Sequence, residues 1–74
     1  MYELWNTQSR NAIDSFETRE SALGAVHSLI TRDGYPPASL YLAQVGVDGS
    51  STAVATGDEL AAQALTQVSE AATR

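Results

Sequence analysis

Two hydrophobic periods alternate along the chain. Tyr2-Glu3-Leu4-Trp5 is rich in aromatic and apolar types, which predicts a short strand. Asn6 to Arg10 is polar throughout and reads as a loop. Ala12 to Phe16 predicts a second strand, but Ile13 and Phe16 stand three apart, which strict alternation does not allow. A bulge or an early strand end reconciles them.

The period then lengthens. Ala22, Leu23, Val26, Leu29 and Ile30 recur at helical spacing and form one apolar stripe. Thr18 is a good N-cap for this helix, and Glu20 lies in the first turn, where the helix dipole favours negative charge. Gly24 interrupts the stripe's helix at a cost of about 1 kcal/mol relative to alanine, which suggests a close approach by a strand or helix. Asp33-Gly34 followed by Pro36-Pro37 predicts the stop.

Leu40 to Val47 is the strongest strand signal, and it is apolar on both faces. Leu40 and Leu42 point one way; Tyr41, Ala43, Val45 and Val47 point the other. Asp48-Gly49 suits a two-residue type I′ hairpin turn, leading into a fourth strand over Thr52 to Ala55. Thr56-Gly57-Asp58-Glu59 has the spacing of a capping box. Leu60, Ala61, Ala64, Leu65, Val68 and Ala71 follow as a second helical stripe, with Ala72-Thr73-Arg74 as a fraying tail.

The two halves superimpose without gaps when shifted by 38 residues: Leu4 falls on Leu42, Phe16 on Val54, Thr18 on Thr56 and Ile30 on Val68. The expected fold is therefore α+β, with two tandem ββα units, 1–34 and 38–72, in one domain over residues 1–74. A four-stranded antiparallel sheet with both helices on one face buries both stripes in a single core. The third strand then presents apolar residues on the sheet's other face, and such a face usually meets another molecule.

Composition narrows the partners. The 74 residues allow one domain with a thin core. Small scaffolds often add disulfides, a metal or self-association. There is no cysteine and a single histidine, so self-association is the favoured device. Nine acidic residues against four arginines, with a net charge of −5, make nucleic acid and anionic membranes poor partners. Met1 to Trp5 carries no secretory pattern, and no apolar run approaches the ~18 residues of a membrane span, so a cytoplasmic location is expected.

Candidate chemistry is sparse. His27 flanks the first stripe with Leu23 and Thr31 as its i−4 and i+4 neighbours, which offers it no nucleophile or orienting carboxylate. Asp58 and Glu59 are adjacent carboxylates, but helix capping accounts for both. The glycines form no phosphate-binding pattern, and Asp48 has no calcium-loop spacing around it. Two helices on one face of so short a chain leave little room for a pocket of ~300 Å3. No catalytic residue, cofactor or metal is implied. The candidate interface residues are Trp5, Tyr35 and Tyr41, because large aromatics in a thin scaffold are enriched at interface centres, and Val45, which shares the apolar outer face of the third strand with Tyr41.

The opening Tyr2-Glu3-Leu4-Trp5-Asn6-Thr7, with Asn11, Phe16-x-Thr18-x-Glu20-x-Ala22-Leu23 and Gly57-x-Glu59-Leu60, resembles a type of short uncharacterised protein from actinobacterial and related genomes. That resemblance implies no activity. The Phe-x-Thr-x-Glu-x-Ala-Leu element also resembles, faintly, the strand-to-helix junction of HicB-type antitoxins. Those proteins place three strands before the helix, and this chain offers two.

The functional expectation is a small non-enzymatic protein-interaction module that self-associates. The alternatives are an acidic, antitoxin-like protein that inhibits a basic partner, and a small-molecule-binding domain. The first loop and the exposed face beneath it are where a local function is expected.

Overall fold

A computed structural model describes residues 1–72 of the chain. The strands are β1 (Tyr2–Asn6), β2 (Asn11–Phe16), β3 (Leu40–Val45) and β4 (Ser51–Thr56), and the helices are α1 (Arg19–Thr31) and α2 (Gly57–Ala72). A single 3-10 turn, Pro37–Ser39, leads into β3. All four strands form one antiparallel sheet in the order β2-β1-β3-β4. The fold is α+β, and its element order is that of two ββα units in tandem.

Alternation along the two central strands decides where the core lies. Leu4 on β1 and Leu40 and Leu42 on β3 are fully buried, and they join Ala22, Leu23 and Val26 of α1 and Leu60 and Ala64 of α2 in one cluster. Both helices therefore cover the same sheet face. Ile13, Phe16, Leu29, Ile30 and Val54 pack around that cluster's edge.

The irregular spacing of Ile13 and Phe16 is resolved by a bulge. Leu4 pairs with Asp14 and Trp5 with Ala12, so Ile13 is skipped in the ladder and turns to the core. β4 repeats the device: Leu42 pairs with Ala55 and Ala43 with Ala53, and Val54 is skipped. Val54 is thus the counterpart of Ile13, three residues away from the Phe16 match that a gapless alignment gives. The shift is 38 residues from Leu4 to Leu42 and from Arg19 to Gly57, but 41 from Ile13 to Val54. The second hairpin is three residues longer between its bulge flanks, and its strand-to-helix junction is three shorter.

The hairpins accordingly reverse their expected lengths. β1 and β2 are joined by four residues, Thr7 to Arg10, and β3 and β4 by five, Gly46 to Ser50. Of Asp48 and Gly49, only Gly49 has positive φ, at 85°, so the turn cannot be type I′. Gly49 N–H instead donates to the Gly46 carbonyl at 3.0 Å, and Gly46 N–H to the Ser50 carbonyl at 2.8 Å. Within the five-residue connection, Val47, Asp48 and Gly49 form a turn closed by the Gly46–Ser50 bond, with a left-handed glycine at its end. β3 consequently stops at Val45, and Val47 is fully exposed in the loop.

Thr18 caps α1 as expected: its hydroxyl accepts from Ser21 N–H at 3.1 Å. Gly34, at φ 73°, ends that segment, and Tyr35 N–H donates back to the Leu29 carbonyl at 3.1 Å. Gly24 has open space where a Cβ would stand, so no close approach explains it. In α2 the capping box is not closed. Gly57 enters the helix with φ 56°, and Glu59 points along the helix, where Gln63 Nε2 donates to its carboxylate at 3.5 Å. Leu65 is 58% exposed, because the buried side of α2 follows Leu60 and Ala64 and the next position rotates away. Of the expected tail, Thr73 and Arg74 lie outside the described residues.

The connection between the units is pinned rather than loose. Ser39 is 1% exposed, and its hydroxyl donates to the Pro36 carbonyl at 2.7 Å. Its own carbonyl accepts from Thr7 N–H at 2.7 Å, which ties the connection to the first hairpin loop.

Candidate functional site on the uncovered sheet face

With Leu4, Leu40 and Leu42 turned to the helices, alternation sends Glu3 and Trp5 of β1 and Tyr41, Ala43 and Val45 of β3 to the opposite face. No helix covers that face. Trp5 and Tyr41 are direct cross-strand partners, and both are half-buried. Such an aromatic pair interacts by about 0.5–1.5 kcal/mol beyond the area it buries. Glu3 pairs with Ala43, which is only 1% exposed between its neighbours, and Val45 pairs with Ser51 at the far end of the same face.

The first hairpin loop overhangs this surface. Gln8 and Ser9 N–H groups donate to Asn6 Oδ1 at 2.9 and 3.2 Å, and Arg10 N–H donates to the Asn6 carbonyl at 2.8 Å. The asparagine side chain thus holds the loop's first turn. Arg10 closes it in the left-handed conformation, at φ 60°, which a non-glycine residue adopts at a cost of about 1–2 kcal/mol. Glu3, Trp5, Thr7, Arg10, Tyr41 and Ser51 together line an open hollow of about 500 Å3. Among the described residues, no hydrogen bond or ion pair ties down the Glu3 carboxylate or the Arg10 guanidinium.

Three of the four candidate interface residues, Trp5, Tyr41 and Val45, therefore share one surface. Tyr35 does not: it follows α1 and packs against the core cluster on the helix side. Glu3 and Arg10 are the site residues that sequence reasoning missed. Period-two alternation with Leu4 was the signal for Glu3. Nothing local in the sequence announces that a loop arginine will adopt positive φ.

A second groove, of about 410 Å3, runs between α1 and α2 and is lined by Arg19, Glu20, Glu59, Gln63 and Glu70. Its polar groups engage one another: Arg19 Nη2 donates to Gln63 Oε1 at 2.6 Å. Both hollows exceed the volume expected of so small a chain, and both stand open to solvent. His27 is half-buried on α1, away from the sheet's uncovered face. Among the described residues, no three histidine, aspartate or glutamate side chains are grouped so as to hold a metal ion, and no helix is long and apolar enough to cross a membrane.

Among the described residues, one carboxyl in the second hairpin loop is clearly perturbed. Ser50 N–H donates to Asp48 Oδ1 at 3.0 Å, and this backbone bond, aided by the Ser50 hydroxyl, lowers the Asp48 carboxyl below the ordinary aspartate range. The interaction organises a turn.

No protein-family model, no curated protein and no solved structure matches this chain.

Proposed function

We propose that this protein is a non-enzymatic protein-interaction module that works through its uncovered sheet face. The observation that carries the reading is the Trp5–Tyr41 cross-strand pair, set on the side of the sheet that neither helix covers. Aromatic rings of this kind are enriched at interface centres. A drug-sized ligand usually has 70–90% of its surface buried in its pocket. The hollow at Trp5 is too open for that, which favours a macromolecular surface over a small molecule.

Charge separates this reading from inhibition of a basic partner. The chain carries a net −5, yet the hollow has one carboxylate, Glu3, and one guanidinium, Arg10. The face is locally balanced, so it suits a neutral or self-complementary surface better than a strongly basic one.

Stability measurements on face variants test the proposal. A core aromatic replaced by a small residue loses about 3–5 kcal/mol. Trp5→Thr and Tyr41→Thr are expected to lose less than that, about 1–2.5 kcal/mol each, for their mutual contact and their half-buried area. Losses of the core size would mean that the rings hold the fold together, and the interaction reading would lose its support.

A further inference from the structure

We infer that the partner of the uncovered sheet face is a second copy of this chain, related by a two-fold axis that passes through the Trp5–Tyr41 hollow. The inference rests on the interaction reading above and adds the partner's identity. An isologous interface has to be self-complementary, because each residue meets a partner and that partner's twin meets the same residue. Glu3 and Arg10 supply this. They are the two charges lining the hollow, they are opposite in sign, and Trp5 and Tyr41 lie within the same lining. A two-fold rotation there places Glu3 of one copy against Arg10 of the other, twice over, with the aromatic pairs between them. Both charged groups are without a bond of their own among the described residues, so nothing must be broken before they pair.

The rest of the charge fits this arrangement. The acidic side chains Glu20, Glu59 and Glu70 line the groove between the helices, so face-to-face pairing keeps the helix layers of the two copies apart. Pairing through the helices would bring three carboxylates of each copy together against one arginine, Arg19.

Area sets the strength. Four strands about 4.8 Å apart, with about five residues each at ~3.3 Å rise, give a face on the order of 300 Å2. A standard stable interface buries about 800 Å2 per partner. The dimer therefore belongs to the small, weak class, and roughly 10 µM to 1 mM is the range in which to look for it.

Sedimentation equilibrium over that range tests the inference with four chains: the wild type, Glu3→Arg, Arg10→Glu and the double variant carrying both. The expected result is a wild-type dimer, association weakened about tenfold in each single variant, and recovery in the double variant. Circular dichroism on the same samples confirms that each is folded. A wild type that stays monomeric to 1 mM overturns the inference, and so does a double variant that fails to recover. Failure of the underlying interaction reading shows differently, as the core-sized stability losses in Trp5→Thr and Tyr41→Thr.

Discussion

Leu4 and Leu42 are cross-strand partners at the centre of the sheet, and each is also the other's counterpart in the repeat. Both stand immediately before a bulge, and the 38-residue shift carries one onto the other. A residue and its repeat mate can be direct neighbours in an antiparallel pair only where a pseudo-two-fold axis passes between them. The strand order β2-β1-β3-β4, symmetric about the β1–β3 pair, follows the same axis.

That position predicts matched sensitivity. Leu4 and Leu42 are both 0% exposed, so Leu4→Ala and Leu42→Ala are each expected to destabilise by about 2–5 kcal/mol. A domain of this size has only about 4–11 kcal/mol to lose. Urea denaturation should show two similar drops in midpoint. A tolerant site at either position would contradict a core centred on the pair.

The two ends of this symmetric frame were unequally legible in the sequence. The helical stripe of α1 and its Thr18 cap could be read directly, because Ala22, Leu23 and Val26 obey one period and the cap is local chemistry. Ile13 and Phe16 signalled a bulge for the same reason. The second hairpin could not be read: Asp48-Gly49 suits several turns, and the choice depends on whether Asp48 adopts positive φ, which ladder geometry decides. Thr56 and Glu59 have capping spacing, but the direct passage from β4 into α2 puts Gly57 in a left-handed entry and leaves Glu59 facing Gln63. At the site, alternation sufficed for Trp5, Tyr41 and Val45. Arg10 joined them only through the conformation of its loop, and Tyr35 was drawn to the core by the turn after α1.

The glycines divide by backbone conformation. Gly24 lies inside α1 with open space around its missing Cβ, so Gly24→Ala is expected to stabilise by about 1 kcal/mol. Gly57 has an equally open surrounding but φ 56°, so Gly57→Ala is expected to destabilise by about 1–2 kcal/mol. Thermal melts of the two variants should shift in opposite directions. A shift of the same sign in both would contradict the geometry at one of them.

Arg10 couples strain to surface. Replacing it by glycine relieves the left-handed conformation, so Arg10→Gly is expected to raise stability by about 0.5–1 kcal/mol. The same change removes a charge from the hollow and should weaken self-association. Gain in one with loss in the other is the pattern of a residue kept for binding. A variant less stable than the wild type would show that the loop depends on the arginine itself.

Asp48 gives a pH dependence of known sign. Its folded-state pKa lies below the unfolded value, so the ionised carboxylate supports the second hairpin above about pH 4. That support disappears as pH falls through the lower folded-state value. Amide protection factors at Gly46 and Ser50, corrected for the intrinsic pH dependence of exchange, should fall in this acid range, and Asp48→Asn, which keeps an acceptor oxygen, should not show the step. An unchanged pH response in that variant would assign the step to other carboxylates.

The claim that two copies of this chain pair through the uncovered sheet face is tested most directly by amide and indole NMR spectra of the wild type, recorded from about 50 µM to 1 mM. Concentration-dependent shifts are predicted at Glu3, Trp5, Tyr41, Ala43 and Val45 and in the loop ending at Arg10, with α1 and α2 unchanged. Spectra that do not change with concentration, or changes confined to the helices, would contradict the account.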